Sequence, residues 1–208
     1  SGIRDRYAAM AAAAAPLKAQ GWALLATGHL TVAGGSTSDS ERDIHVGNLG
    51  AVDASIFSGS FDYVALGHIH RHQCLTLGRT NAPPIVYSGS LERIDFGEED
   101  DRKGFVWAEL ARGATTWQFV PVDARPFVTL RVDVRGSGDP TRTVLDAIKR
   151  SDLDDAVVRV LITADVEADP HLLDGDIFQA LKEAGANHVA VIQRDVERSA
   201  RLDRKSVV

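Results

Sequence analysis

The chain is poor in the features that mark several protein classes. It has one cysteine, Cys74, in 208 residues. That excludes an intrachain disulfide framework, and zinc fingers or iron–sulfur clusters built from several cysteines; it fits a reducing cytoplasmic setting. No apolar run approaches the roughly 18 residues that span a bilayer. The alanine-rich stretch 8–15 is too short and too weakly hydrophobic for a membrane anchor or secretion signal. Basic residues are in deficit too, 23 against 29 acidic ones, for a formal net charge of −6. Such a balance does not suit a protein that coats DNA by bulk electrostatics, so any nucleic-acid role has to come from a local site. What is present is a globular composition, 44% hydrophobic and 25% charged, which argues against global disorder. At about 100–200 residues per domain, the length allows one large domain or two small ones.

Residues 3–20 read as an alanine-rich helix closed by Gly21, with Pro16 expected to kink or break it. The apolar run 22–27 (WALLAT) turns polar at Gly28-His29, as a buried strand does when it ends at a site. Residues 34–40 read as a polar loop and 50–58 as a short helix. The run 61–66 (FDYVAL) is a second buried strand, and it also runs into Gly-His, at Gly67-His68. Segments 73–77, 85–88, 105–110 and 116–122 then read as short antiparallel strands, connected through Pro83-Pro84 and the acidic loop 98–101. Pro121 and Pro126 bracket an expected domain boundary.

Beyond it the order is β-α-β-α-β: strands at 127–134, 157–164 and 188–193, and helices opened by Asp139-Pro140 and Asp169-Pro170. The second helix is expected to run to Ala184 and stop at Gly185. This order implies a small sheet with helices on one face. Its expected core is Val132, Val134, Val144, Leu145, Ile148, Val158, Val160, Ile162, Ile177, Leu181, Val189 and Val191. Residues 194–205 read as a charged tail.

The chemistry concentrates in Gly67-His68-Ile69-His70. In an extended segment, residues i and i+2 point to one side, so both imidazoles could face one point at the carboxyl end of a strand. Neutral imidazole is a good ligand for divalent transition metals. A lone HxH is more often an ordinary loop. Here, however, Thr27-Gly28-His29 repeats the design of apolar run, glycine and histidine. Neighbouring strands would bring His29 beside His68, and three histidines at two strand ends make a metal-site constellation.

TGH followed by GHIH resembles the last two motifs of the calcineurin-like metallophosphoesterases. The segments SDSERDIHVG, FDYVALGHIHRHQ and IVYSGSLERIDFGEE narrow the resemblance to the SbcD family of nuclease subunits of bacterial SbcCD exonucleases. It runs from about Trp22 to the strand at Phe105. It implies an α/β fold: the C-terminal half of a four-layer metallophosphoesterase sandwich over residues 1–125, a βαβαβ capping domain over 126–195, and a tail over 196–208. It also implies a two-metal phosphodiesterase, manganese-dependent with magnesium as a substitute. His29 and His68 would ligate one ion and His70 the other. The family's earlier motifs, DxH, GDxxD and GNHD, do not occur ahead of Thr27-Gly28-His29 in this sequence. They would supply the bridging aspartate, the asparagine ligand and the catalytic histidine, so no catalytic residue is assigned here and the chain alone is expected to be inactive. The implied partners are DNA and an SbcC-like SMC ATPase, with a homodimer of the nuclease subunit and no membrane. The rivals are another calcineurin-like phosphodiesterase or phosphatase, and a non-catalytic scaffold that kept the fold.

Further residues are candidates for phosphate or DNA contacts: Arg42 in the polar loop, Ser88 and Ser90 after a strand, and Arg131, Arg135 and Arg142 in the trailing module. That module carries 8 basic and 13 acidic residues between 127 and 195, so it would guide DNA through a few arginines or act only as a shield. His72 reads as rim, His45 as a solvated loop residue, His171 and His188 as structural, and Cys74 as a small core residue.

Overall fold

The computed structural model describes residues 2–37, 51–57, 59–79 and 82–197. Arg42 and His45 lie outside them. The alanine-rich start forms helix α1, Gly2–Ala19, as its propensity requires. Pro16 does not break it: the ring sits in the last turn, and the helix continues through it. Gly21, with φ +97°, closes the helix. Gly21 N–H donates to Lys18 O and Trp22 N–H to Leu17 O, the paired bonds of a Schellman cap.

The chain divides into two compact units, Ser1–Ala124 and Arg125–Val208. Among the described residues there are three helices and three sheets, a mixed α/β architecture. In the first unit, β1 (Leu25–His29), β2 (Tyr63–Gly67) and β4 (Ile85–Tyr87) are parallel, and β3 (Gln73–Cys74) pairs antiparallel to β4, in the order β1-β2-β4-β3. The antiparallel pairing expected of β3 and β4 is present; what the sequence did not show is that β4, buried at all three residues, also pairs parallel to β2. A three-residue apolar strand carries no alternation from which its partner could be read. The expected helix at 50–58 is a single 3₁₀ turn, Ala54–Ile56, with Asp53 accepting from Ser55 N–H. One sheet face packs on α1: Tyr7, Ala11, Ala26, Phe57, Val64, Leu66, Ile85 and Tyr87 form a core.

Strands β5 (Gly104–Glu109) and β6 (Thr116–Pro121) form a hairpin. Its turn is tied to the rest of the unit by Asp62, which accepts from Leu24 N–H at 2.8 Å and from Gly113 N–H at 3.0 Å. Burial pushes the Asp62 carboxyl up, but these two donors and Lys18 outweigh it and hold it below its usual value.

In the second unit β7 (Phe127–Asp133), β8 (Val157–Asp165) and β9 (His188–Glu197) are parallel in sequential order. Two right-handed crossovers in the same direction put both helices on one face, and α2 (Pro140–Lys149) and α3 (Asp174–Glu183) do pack against each other. Asp139 caps α2, accepting from Arg142 N–H. Pro170 does not open α3. It sits in a separate 3₁₀ turn, Asp169–His171. The Thr141 hydroxyl then bridges His171 O and Leu173 N–H, and the helix starts only after that bridge. β9 extends four residues past its expected end, pairing with β8 as far as Asp165↔Glu197, and its Arg194 is held by Asp169 and Asp174.

The core contains the expected residues with one exception. β9 carries a bulge opposite Val158/Arg159, so Ala190 is extra, and Ile192 instead of Val191 packs inward. Val191 is 42% exposed. Leu181→Ala should therefore cost about 2–5 kcal/mol, whereas Val191→Ala should change stability by less than about 0.5 kcal/mol. Urea denaturation of the two variants checks the difference.

Candidate functional site

Parallel pairing of β1 and β2 aligns His29 with Gly67, so the two Gly-His motifs end side by side. The imidazoles of His29 and His68 lie with ring centroids 5.2 Å apart at 62°. Gly67 makes this possible: a Cβ there would stand 3.1 Å from His29 Nδ1. The GHIH segment is not extended, as the i, i+2 argument assumed. β2 ends at Gly67 and His68 takes φ +93°, a positive value that L residues seldom adopt. Ile69 is driven into the core at 1% exposure, which turns the flanking histidines away from it.

His70 is half-buried. Its Nδ1 lies 2.8 Å from Oε1 of Glu98, which is fully buried at the end of a 3₁₀ turn, Phe96–Glu98. The other Glu98 oxygen receives Lys103 Nζ at 2.6 Å, and Lys103 also donates to Ser90 Oγ. Arg71 pairs with Asp101, and Arg93 donates to the carbonyls of Glu98, Glu99, Asp101 and Ala124. Gly89, at φ +82°, holds this frame to the GHIH segment. A Cβ there would meet His72 N at 2.9 Å and His70 O at 3.0 Å, and Ser90 N–H donates to His70 O. The 98–101 stretch is thus a buried anchor and not a mere connection. Glu98, Asp101 and Lys103 were missed in the sequence because GEEDDRKG looks like a solvated acidic turn, and nothing in it separates Glu98 from its acidic neighbours.

Tyr87 supports the site from below. Its hydroxyl accepts from Val32 N–H at 2.8 Å and donates to Leu30 O at 2.9 Å, clamping the segment that follows His29. Beside the histidines, the sheet face opposite α1 opens into a cleft of about 620 Å³ lined by Leu25, Thr27, Tyr63, Val86, Ser88 and Trp107 among others. Burial, then the neighbouring Cys74, pushes the Tyr63 phenol up to about 12, so this wall is uncharged.

The structure therefore brings His29 and His68 together and holds His70 through Glu98. Among the described residues, no group of three His, Cys, Asp or Glu side chains is close enough to hold a metal ion. Ser88 lines the cleft. The Ser90 hydroxyl is engaged with Glu92 O and Lys103. Arg135 is committed to Asp133 and Glu197, and its hydrogen bonds hold the Asp133 carboxyl down to about 2. Arg142 pairs with Asp146, and Arg131 is exposed on β7. His72 packs on Phe119 and meets Tyr87 O. Cys74 is half-buried. Among the described residues, no helix is long and apolar enough to cross a membrane.

No family model matches the chain. Over 95 residues, 46% of its length, it is 38% identical to the SbcD subunit of the nuclease SbcCD from Staphylococcus saprophyticus subsp. saprophyticus. The chain spans about a quarter, 24%, of that protein. A part of this sequence is thus homologous to part of a bacterial nuclease subunit.

Proposed function

We propose that this chain is part of an SbcD-type nuclease subunit that hydrolyses DNA phosphodiester bonds with divalent metal ions, manganese in first place. The observation that carries the reading is the pair of parallel strands ending in Gly-His, which sets His29 beside His68. The partial identity to a nuclease subunit supports it. On this reading the first unit belongs to a four-layer metallophosphoesterase sandwich, with the open apolar cleft facing its other half. The second unit is the capping domain, the protein is cytoplasmic, and its partners are DNA, an SbcC-type ATPase and a second copy of the subunit.

The donors suit a divalent transition metal in kind: imidazoles following strand ends, one of them beside a buried carboxylate. His29, His68 and His70 would hold the ions, with oxygen ligands from elsewhere in the protein. When bound, the metals supply an activated water and neutralise charge on the phosphoryl group. The chain's own contribution is placement. Gly67 gives the His29 ring room, Tyr87 fixes the segment after it, and the buried 98–103 frame fixes His70. With Arg135 and Arg142 already paired, the second unit guides DNA mainly through Arg131.

The test is cleavage of linear duplex DNA by the full-length protein with its ATPase partner and Mn²⁺. Nucleotide release that stops with EDTA supports the reading. Hydrolysis of bis(p-nitrophenyl) phosphate without DNA cleavage would assign the site to another phosphodiesterase, and no hydrolysis of either would point to a scaffold.

A further inference from the structure

We infer that Arg102 is a contact for the phosphodiester backbone of DNA, its guanidinium held ready on the ring of Phe119, which stacks on His72. The inference rests on the DNA-nuclease reading above and adds a residue to it. It involves no bound metal.

The placement begins just past the GHIH segment. His72 Nδ1 donates to Tyr87 O at 2.9 Å, which fixes the imidazole. The ring stacks on Phe119, with centroids 4.3 Å apart at 15°, and meets Trp117 edge-on at 5.7 Å. Gly104 leaves Phe119 its place, since a Cβ there would stand 2.6 Å from the ring. The guanidinium carbon of Arg102 lies 5.6 Å from the Phe119 centroid, within the range of a cation–π contact. The backbone under it is fixed as well. Asp101 and Lys103, on either side, are buried. Gly104 N–H donates to Ser90 O, and Val122 N–H to Lys103 O. Arg102 itself is exposed.

Charge singles this residue out. Its basic neighbours are spent: Arg71 pairs with Asp101, Lys103 with Glu98, and Arg93 holds backbone carbonyls. Among the described residues no carboxylate pairs with Arg102. Its contact is the Phe119 ring, which takes up none of its N–H donors. A planar, weakly hydrated cation with open donors, oriented by an aromatic ring, matches the oxygens of a phosphodiester. With a net charge of −6, the chain depends on such local contacts to hold a polyanion.

The test is duplex DNA binding by the full-length protein with its ATPase partner, read by fluorescence anisotropy over a salt series. EDTA keeps the DNA intact, and thermal melting confirms that each variant is folded. Arg102→Ala is expected to weaken binding about tenfold, the share of one charge-assisted hydrogen bond. It should also flatten the slope of log K against log salt by about 0.9, the counterion release of one phosphate contact. The loss should be alike for DNA of unrelated sequence, as a backbone contact requires. Arg102→Lys keeps the charge and should restore the slope. Arg6→Ala removes the same charge from the exposed side of α1, across the sheet from the cleft, and should change neither quantity. Wild-type affinity and slope in Arg102→Ala, or an equal loss in Arg6→Ala, would overturn the proposal and leave the nuclease reading in place. A wild type with no salt-dependent DNA binding would overturn that reading and the proposal with it, so the two failures are distinct.

Discussion

On the proposed reading, His68→Ala in the full-length protein is expected to lower DNA cleavage by roughly a hundredfold or more, because a metal ligand would be lost, and with it several kcal/mol of transition-state charge stabilisation. The loss should appear in kcat as well as kcat/KM, since the interaction is strongest when charge develops on the phosphoryl group. The fold should survive. His68 is only half-buried and lies after the end of β2, so its ring fills no core position. Its φ of +93° is the one complication. Asparagine tolerates positive φ better than alanine, so His68→Asn separates backbone strain from lost ligation. Both variants should melt close to wild type and both should be nearly inactive. A variant that melts normally and still cleaves DNA at the wild-type rate would remove His68 from the chemistry.

The second large effect concerns stability. Lys103→Ala should destabilise the first unit by about 3–5 kcal/mol, the usual cost of leaving one member of a buried ion pair without its partner. The stranded group is Glu98, with no exposed surface. His70 and Ile94 N–H, which also meet its carboxylate, do not replace an ammonium at 2.6 Å. Replacing both charges by methionine should be close to neutral, because the desolvation cost disappears with the pair. Chemical denaturation of the single and double variants gives the comparison. If Lys103→Ala cost less than about 1 kcal/mol, water would have to reach Glu98, and the closed frame around it would be wrong.

Much of the architecture could be read from periodicity alone. The two Gly-His strand ends, the β-α-β-α-β order of the second unit and the Asp139 cap each follow from a local pattern that one physical rule generates. The departures share a cause as well. Ala190, Pro170 and β4 depend on partners distant in sequence: a bulge is set by the neighbouring strand, the delayed start of α3 by the Thr141 hydroxyl, and the pairing of β4 by β2. At the site the same division holds. The juxtaposition of His29 and His68 was visible because each follows an apolar run and a glycine; the spacing argument for His70 assumed an extended segment, which His68, at φ +93°, interrupts. Glu98 was not visible, because burial singles it out within a run of acidic residues, and burial is a tertiary property. Pro16 shows the converse, a local rule that does not bind when the ring falls in a helix's final turn. Arg42 and His45 lie outside the described residues.

The Tyr87 clamp has a consequence for how the protein is made. Its hydroxyl ties together Leu30 and Val32, which lie 57 and 55 residues earlier in the chain. A nascent chain leaving the ribosome therefore presents His29 well before the residue that shapes the segment behind it. Closing so long a loop is entropically slow compared with local helix formation. The His29 end of β1 thus belongs among the last parts of the first unit to mature, after β4 has docked beside β2. Until then the His29 and His68 imidazoles are present but not yet side by side.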